Sequence, residues 1–173
     1  FGQVAKKMAS LKPAIIEIDI SCPHLDYGKP YDADPKLTAE VTREVKKSAG
    51  KIPVSIKLSP NVHDIKEVAH AAERAGADAI TAINTVTSMV IDIDARKPIL
   101  ANKFGGMSGP ALKPIAVRCV YEIFEEVKIP IIGTGGVTYG KDAIEMIMAG
   151  ATAVGIGTAV YYRGIDVFRK ICG

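Results

Sequence analysis

Ala75-Gly76-Ala77-Asp78-Ala79-Ile80 recurs as Ala149-Gly150-Ala151-Thr152-Ala153-Val154, and the repeat decides how the chain is built. Each copy closes a helical pattern on a glycine and enters an apolar strand at once, so helix exit and strand entry are used twice in the same form. Outward from these junctions, strands are predicted at Ala14 to Ile20, Val54 to Leu58, Ala79 to Asn84, Pro130 to Thr134 and Ala153 to Thr158. Helices fill the intervals. Asp34-Pro35 joins an N-cap to a proline at the first helical position, and Leu37, Val41 and Val45 make an apolar stripe that ends at Gly50. Asp64 starts the next, with Ile65, Val68, Ala69 and Ala72 facing inward until Gly76 caps it. Pro114 opens a third through Ile115, Val117, Val120, Ile123 and Phe124; Gly140 to Met148 is a fourth, and a last runs from about Ile165 to Ile171. Gly2 to Ala9 reads as a helix leading into the first strand.

Strand then helix, five times over, with strands too apolar to face water, calls for a parallel sheet covered by helices. No glycine-rich dinucleotide fingerprint follows the first strand. The expected fold is therefore α/β, part of a (βα)8 TIM barrel amounting to about its last five units, with helices outside. Five-eighths of a barrel cannot close, so the first and last strands are expected as open edges that need N-terminal units. The chain begins at Phe1, and residues 1–173 read as the C-terminal part of one barrel domain from which the first strands are absent. From Thr85 to Lys113 the strand–helix pattern lapses, and a connection of that length in a compact barrel is expected to be functional or a partner surface.

Composition narrows the function. A 48% hydrophobic, 24% charged chain of 173 residues is long enough for one domain with a sizeable core. Its net charge of +3, from 22 basic and 19 acidic residues, forms no basic stripe, which argues against nucleic-acid binding. The three cysteines, Cys22, Cys119 and Cys172, match neither a disulfide framework nor a zinc site, so a reducing compartment and no metal are expected. No spanning-length apolar run is present, and the chain reads as cytoplasmic, without a membrane partner.

The chemistry sits at strand ends. Glu17-Ile18-Asp19-Ile20-Ser21-Cys22-Pro23-His24 is an apolar strand with Glu17 and Asp19 on one face, and Pro23 stops it directly after a thiol. Most free cysteines are small buried hydrophobes, but one delivered at a strand's carboxyl end stands where barrels keep their reactive groups. Lys57 interrupts an apolar strand, either to meet an anion or to snorkel. Asn84-Thr85 ends the third strand with an amide and a hydroxyl. Gly133-Thr134-Gly135-Gly136 and Gly155-Ile156-Gly157-Thr158 end two consecutive strands with bare backbone, which together with a following helix N-terminus would make a phosphate cradle. Gly105-Gly106-Met107-Ser108-Gly109-Pro110 adds a third close-approach site. A phosphorylated, flat, anionic cofactor fits such surroundings, and FMN answers that description.

Ser21-Cys22-Pro23, Lys57-Leu58-Ser59-Pro60-Asn61-Val62, Ile83-Asn84-Thr85, Arg96-Lys97-Pro98, Gly105 to Pro114, Gly133-Thr134-Gly135-Gly136 and Gly157-Thr158 together make the chain similar to the class 1 dihydroorotate dehydrogenases. It most resembles the catalytic subunit of their NAD-linked type B. The resemblance runs the length of the chain. It implies an FMN-dependent barrel that oxidises dihydroorotate to orotate in pyrimidine synthesis, with Cys22 as the base. It implies FMN contacts at Asp19, Lys57, Ile83, Gly109, Gly135, Gly136, Gly157 and Thr158, the last four around the phosphate, and substrate contacts at Asp19, His24, Asn84 and Thr85. It further implies a homo-oligomer or heterotetramer with an electron-transfer subunit carrying FAD and an iron–sulfur cluster.

Two positions depart from the family pattern, which has asparagine where this chain has Asp19 and often where it has His24. An ionised Asp19 would repel a substrate carboxylate, whereas one kept protonated by burial would donate as an amide does; His24 would supply compensating positive charge. The Ser-Cys-Pro-His form also resembles dihydropyrimidine dehydrogenases. Two alternatives therefore stand beside dihydroorotate oxidation: the same flavin barrel acting on another dihydropyrimidine, and a non-catalytic phosphate-binding fragment.

Overall fold

Alternation along the first strand sets the architecture. In β1 (Ile16–Asp19) Ile16 and Ile18 are buried while Glu17 and Asp19 are exposed, so one face of the sheet is apolar and the other carries polar groups. The computed structural model describes residues 1–21 and 34–173. Helix α1 (Gly2–Ala9) precedes β1; α2 (Pro35–Ala49), β2 (Val54–Leu58), α3 (Ile65–Arg74) and β3 (Ala79–Ala82) follow. The carboxylates of Asp34 and Asp64 accept the Lys36 and Lys66 amides, each at 2.8 Å, which starts α2 and α3 where the sequence places them.

The stretch after β3 is not an unstructured connection. Strands β4 (Val86–Ser88), β5 (Ile91–Asp92), β6 (Lys97–Pro98) and β7 (Gly105–Met107) fold it into nested antiparallel ribbons, β4 with β7 and β5 with β6. The ribbons escape a periodicity reading because each strand is only two or three residues long. A 3-10 turn (Pro110–Leu112) then leads into α4 (Lys113–Glu126), β8 (Ile131–Thr134), α5 (Gly140–Met148) and β9 (Ala153–Gly155).

Two further corrections concern helices. The last one expected, about Ile165 to Ile171, is α7 (Val167–Cys172), and it is preceded by a short helix that the sequence does not predict, α6 (Ala159–Arg163), the two separated at Gly164, whose φ of 72° a helix interior does not accept. The inward stripe of α4 is Ala116, Cys119, Val120 and Ile123, and Phe124 is half-exposed. Phe124 nevertheless has a packing role: a Cβ on Gly150 would lie 2.2 Å from its Cγ, so the second repeat uses its glycine for clearance as well as for its φ of 112°.

The five long-range strands form one parallel sheet in the order β1-β2-β3-β8-β9, with β1 and β9 at its edges among the described residues. Successive helices pack side by side along it. Ile18, Ile56, Leu58, Ile80 and Ile131 belong to the buried cluster that also includes Val41, Val45, Val68, Val120 and Ile123 from the helices. The alternate residues, Glu17, Asp19, Ser55, Lys57 and Thr81, carry a hydrogen-bonded row across three strands: Thr81 Oγ1 donates to Glu17 Oε2 at 2.6 Å and lies 2.9 Å from Ser55 Oγ. This is a partial barrel, with helices on the outside and polar groups where a barrel interior would be.

Candidate functional site

The carboxyl ends of β2, β3, β8 and β9 converge on a cavity of about 240 Å³. Lys57 enters it from β2. Ile83, Asn84 and Thr85 follow β3 across the Ala82–Ile83 peptide, which is cis. Ser108 and Gly109 approach from the end of the ribbons, Gly135 and Gly136 follow β8, and Gly157 and Thr158 follow β9. Nine residues read from the sequence as cofactor or substrate contacts, Lys57, Ile83, Asn84, Thr85, Gly109, Gly135, Gly136, Gly157 and Thr158, thus share one lining.

Asp19 is not in that lining; it stands at the rim. Its carboxylate lies 3.3 Å from Lys57 Nζ, accepts the Ser21 amide at 3.0 Å and the Ser21 hydroxyl at 2.6 Å, and receives Asn84 Nδ2 at 3.2 Å. Asn84 Nδ2 also donates to Ser21 Oγ. Burial pushes the Asp19 carboxyl up, but the Ser21 hydroxyl and amide and the Lys57 ammonium outweigh it and hold the group below its ordinary value of 3.8. The protonated, amide-like form of Asp19 is therefore disfavoured: the side chain is too exposed for burial to prevail over its donors. Cys22 and His24 lie outside the described residues.

The glycine turns show why glycine is needed. Gly135 and Gly136 have φ of 132° and 76°, and a Cβ on either would come within 2.7 Å of Ala116 Cβ or of Lys113 Cβ and N. At Gly157 a Cβ would meet nothing within 4 Å, so space remains on the cavity side. Among the described residues neither the Gly136 nor the Gly157 amide donates to a protein group. The helix N-terminus expected to assist them is already occupied: Asp142 Oδ2 accepts the Thr138 and Tyr139 amides at 3.0 and 2.8 Å, and α6 is too short to contribute. Anion binding here would rest on the turn amides and on the hydroxyls of Thr134, Thr138, Ser108 and Thr158, which line the same cavity. That set fits a phosphate, and the neighbouring Lys57 and Asn84 suit a flat polar ring; the residues present fit FMN.

The sequence profile of the family described as dihydroorotate dehydrogenase matches residues 1–173. The chain belongs to the dihydroorotate dehydrogenase family. It is 54% identical over 173 residues to the protein of Methanocaldococcus jannaschii named dihydroorotate dehydrogenase B (NAD(+)), catalytic subunit, covering 99% of this chain and 56% of that one. The Pyrococcus abyssi protein of the same name is 51% identical over 172 residues, covering 99% and 57%. This chain therefore spans a little over half the length of these relatives. In three dimensions it resembles the dihydroorotate dehydrogenase of Eimeria tenella solved in complex with ferulenol, with a TM-score of 0.82 at 22% identity over 98% of this chain and 50% of that one, a likeness of fold.

Against this dihydroorotate dehydrogenase background, the residues that sequence reading missed are the hydroxyls of Ser108, Thr134 and Thr138. Ser108 is joined at 2.8 Å to Thr158, which the sequence did single out, and Thr134 and Thr138 share the same lining. Each lies within or beside a quoted motif, but hydroxyls are frequent at turns and carry no distinguishing spacing. Cys119 is buried in α4, where burial pushes its thiol up and leaves it a packing residue.

Proposed function

We propose that the whole protein oxidises dihydroorotate to orotate with FMN, and that this chain supplies the phosphate cradle, the lysine and the substrate amide of that site. The observation that carries the reading is the convergence of Lys57, Asn84, Gly135, Gly136 and Gly157 on one cavity at the carboxyl ends of parallel strands. The names of the archaeal relatives support the substrate and, by calling them catalytic subunits, a second subunit. In our reading that subunit carries FAD and an iron–sulfur cluster and passes electrons to NAD, and the assembly is a homo-oligomer or a heterotetramer.

FMN, when bound, supplies the acceptor for the hydride leaving C6 of the substrate. Cys22, as thiolate, takes the proton from C5, so that the C5–C6 double bond forms as both hydrogens depart. Lys57 places positive charge where the cofactor ring gains negative charge, and Asn84 with Thr85 orients the substrate ring. Asp19 holds Lys57 and Asn84 in place through the contacts above. His24 offsets the Asp19 charge near the substrate carboxylate. A cavity of about 240 Å³ is smaller than the roughly 300–1,000 Å³ of ordinary ligand pockets, and in our reading the rest of the wall comes from the part of the relatives' length that this chain does not span. Among the described residues no helix is long and apolar enough to cross a membrane. The cytoplasmic placement we propose rests instead on three cysteines that match no disulfide framework.

The test is the visible spectrum of the purified whole protein, taken before and after dihydroorotate is added without air. Flavin bands that bleach support the assignment. Bands that persist with dihydroorotate but bleach with another dihydropyrimidine would move the substrate and keep the barrel; a folded protein without flavin would leave a phosphate-binding role.

A further inference from the structure

Lys113, the first residue of α4, lies against the glycine turn and bridges past it to α5. Its main chain lies against Gly136, where a Cβ would meet Lys113 Cβ and N at 2.7 Å. Its ammonium reaches past the turn to Asp142 Oδ1 at 2.8 Å and Glu145 Oε2 at 2.6 Å on α5. Asp142 is 4% exposed, and its other oxygen accepts the Thr138 and Tyr139 amides. Thr138 Oγ1 in turn donates to Gly136 O at 3.1 Å, and Arg163 donates to Thr138 O. The contacts close a ring: Lys113 backbone, Gly136, Thr138, Asp142 and the Lys113 ammonium.

We propose that Lys113 and Asp142 are positioning residues that clamp the Gly135–Thr138 turn and so determine how tightly it grips a flavin nucleotide's phosphate. The inference rests on the FMN reading above and adds two residues outside the family motif contacts. Two carboxylates face the one ammonium, so the trio has no spare positive charge to offer a phosphate; Lys113 acts through the turn's geometry. The clamp is also sensitive to loss of either partner. A carboxylate as buried as that of Asp142 needs its cation, and with Lys113 gone its hold on the Thr138 and Tyr139 amides slackens.

The experiment compares FMN with riboflavin, which has the same ring and no phosphate, by fluorescence titration of the flavin-free whole protein. Lys113→Met and Asp142→Asn should each weaken FMN binding by about tenfold or more, equivalent to roughly 1.4 kcal/mol, while changing riboflavin binding by less than about twofold. Lys113→Arg, which keeps the ion pair, should retain FMN affinity even if Lys113→Met folds poorly. Equal weakening of both ligands, or unchanged FMN affinity, overturns the clamp. Loss of FMN in Lys113→Met alone, with Asp142→Asn unaffected, overturns it in favour of direct phosphate contact. If the unmodified protein binds neither flavin, the cofactor reading itself fails, and the proposed role fails with it.

Discussion

Asp19 and Lys57 are register partners on neighbouring strands, and their charged ends lie 3.3 Å apart. The resemblance puts asparagine at position 19 as the usual family residue, so this chain sets an anion beside the cation that, in the proposed function, faces the cofactor. Asp19→Asn should release that cation. The flavin midpoint potential should rise by tens of millivolts, about 30 mV for each 1.4 kcal/mol in a two-electron couple. The KM for dihydroorotate should fall by about threefold to tenfold as repulsion of the substrate carboxylate is removed. Redox titration beside steady-state kinetics checks both, and an unmoved potential would place Lys57 away from the ring.

Cys22→Ala should leave FMN bound at full stoichiometry while substrate-driven flavin reduction slows by about 10²–10⁴-fold, the usual contribution of a general base. In the parent protein the rate should rise with pH as the thiol ionises, an ordinary thiol having a pKa of about 8.5. Stopped-flow absorbance over that range reads both. Loss of the flavin itself from Cys22→Ala would remove the residue from catalysis and assign it to binding.

Gly136→Ala would put a Cβ 2.7 Å from Lys113 Cβ and N at a φ of 76°. A cost of about 1–3 kcal/mol in urea unfolding is expected from strain of this kind, together with loss of FMN during purification. Gly135→Asp should lose FMN as well, since it adds a negative group where the phosphate would sit. Normal flavin content in both variants would move the phosphate elsewhere.

Acid should loosen the Asp142 junction in a defined window. Burial pushes its carboxyl up, but the Lys113 ammonium and the Tyr139 and Thr138 amides bring it below its ordinary value of 3.8. The folded-state pKa is thus lower than the unfolded one, so the group contributes its full stability above about pH 4 and loses it as pH falls through the folded value. Urea midpoints measured between pH 5 and pH 3 should fall more steeply for the parent than for Asp142→Asn. Parallel slopes would mean that Asp142 titrates alike in both states.

Legibility followed the length of each signal. The β1 alternation, the apolar runs of β2 and β3, the Asp34 and Asp64 caps and the two glycine-closed helices were readable because each extends over several residues or uses a residue with one main purpose. The ribbons from Val86 to Met107 were not, because strands this short give no period. At the site, glycines and Lys57 stood out as residues with few reasons to be where they are. Lys113 and Asp142 did not, for a lysine opening a helix and an aspartate in the first turn of another are ordinary there. Their partnership is a matter of tertiary distance.

The alternation seen in β1 and carried across β2 and β3 has a consequence for how such a protein changes. Ile16, Ile18, Ile56 and Ile80 face the helices, and Glu17, Asp19, Ser55 and Thr81 face the other way, so adjacent residues answer to different demands. Substitutions on opposite sides of a strand share few partners and should combine almost independently. A lineage can therefore adjust ligand preference at one residue and leave its neighbour, and the burial that neighbour supplies, untouched.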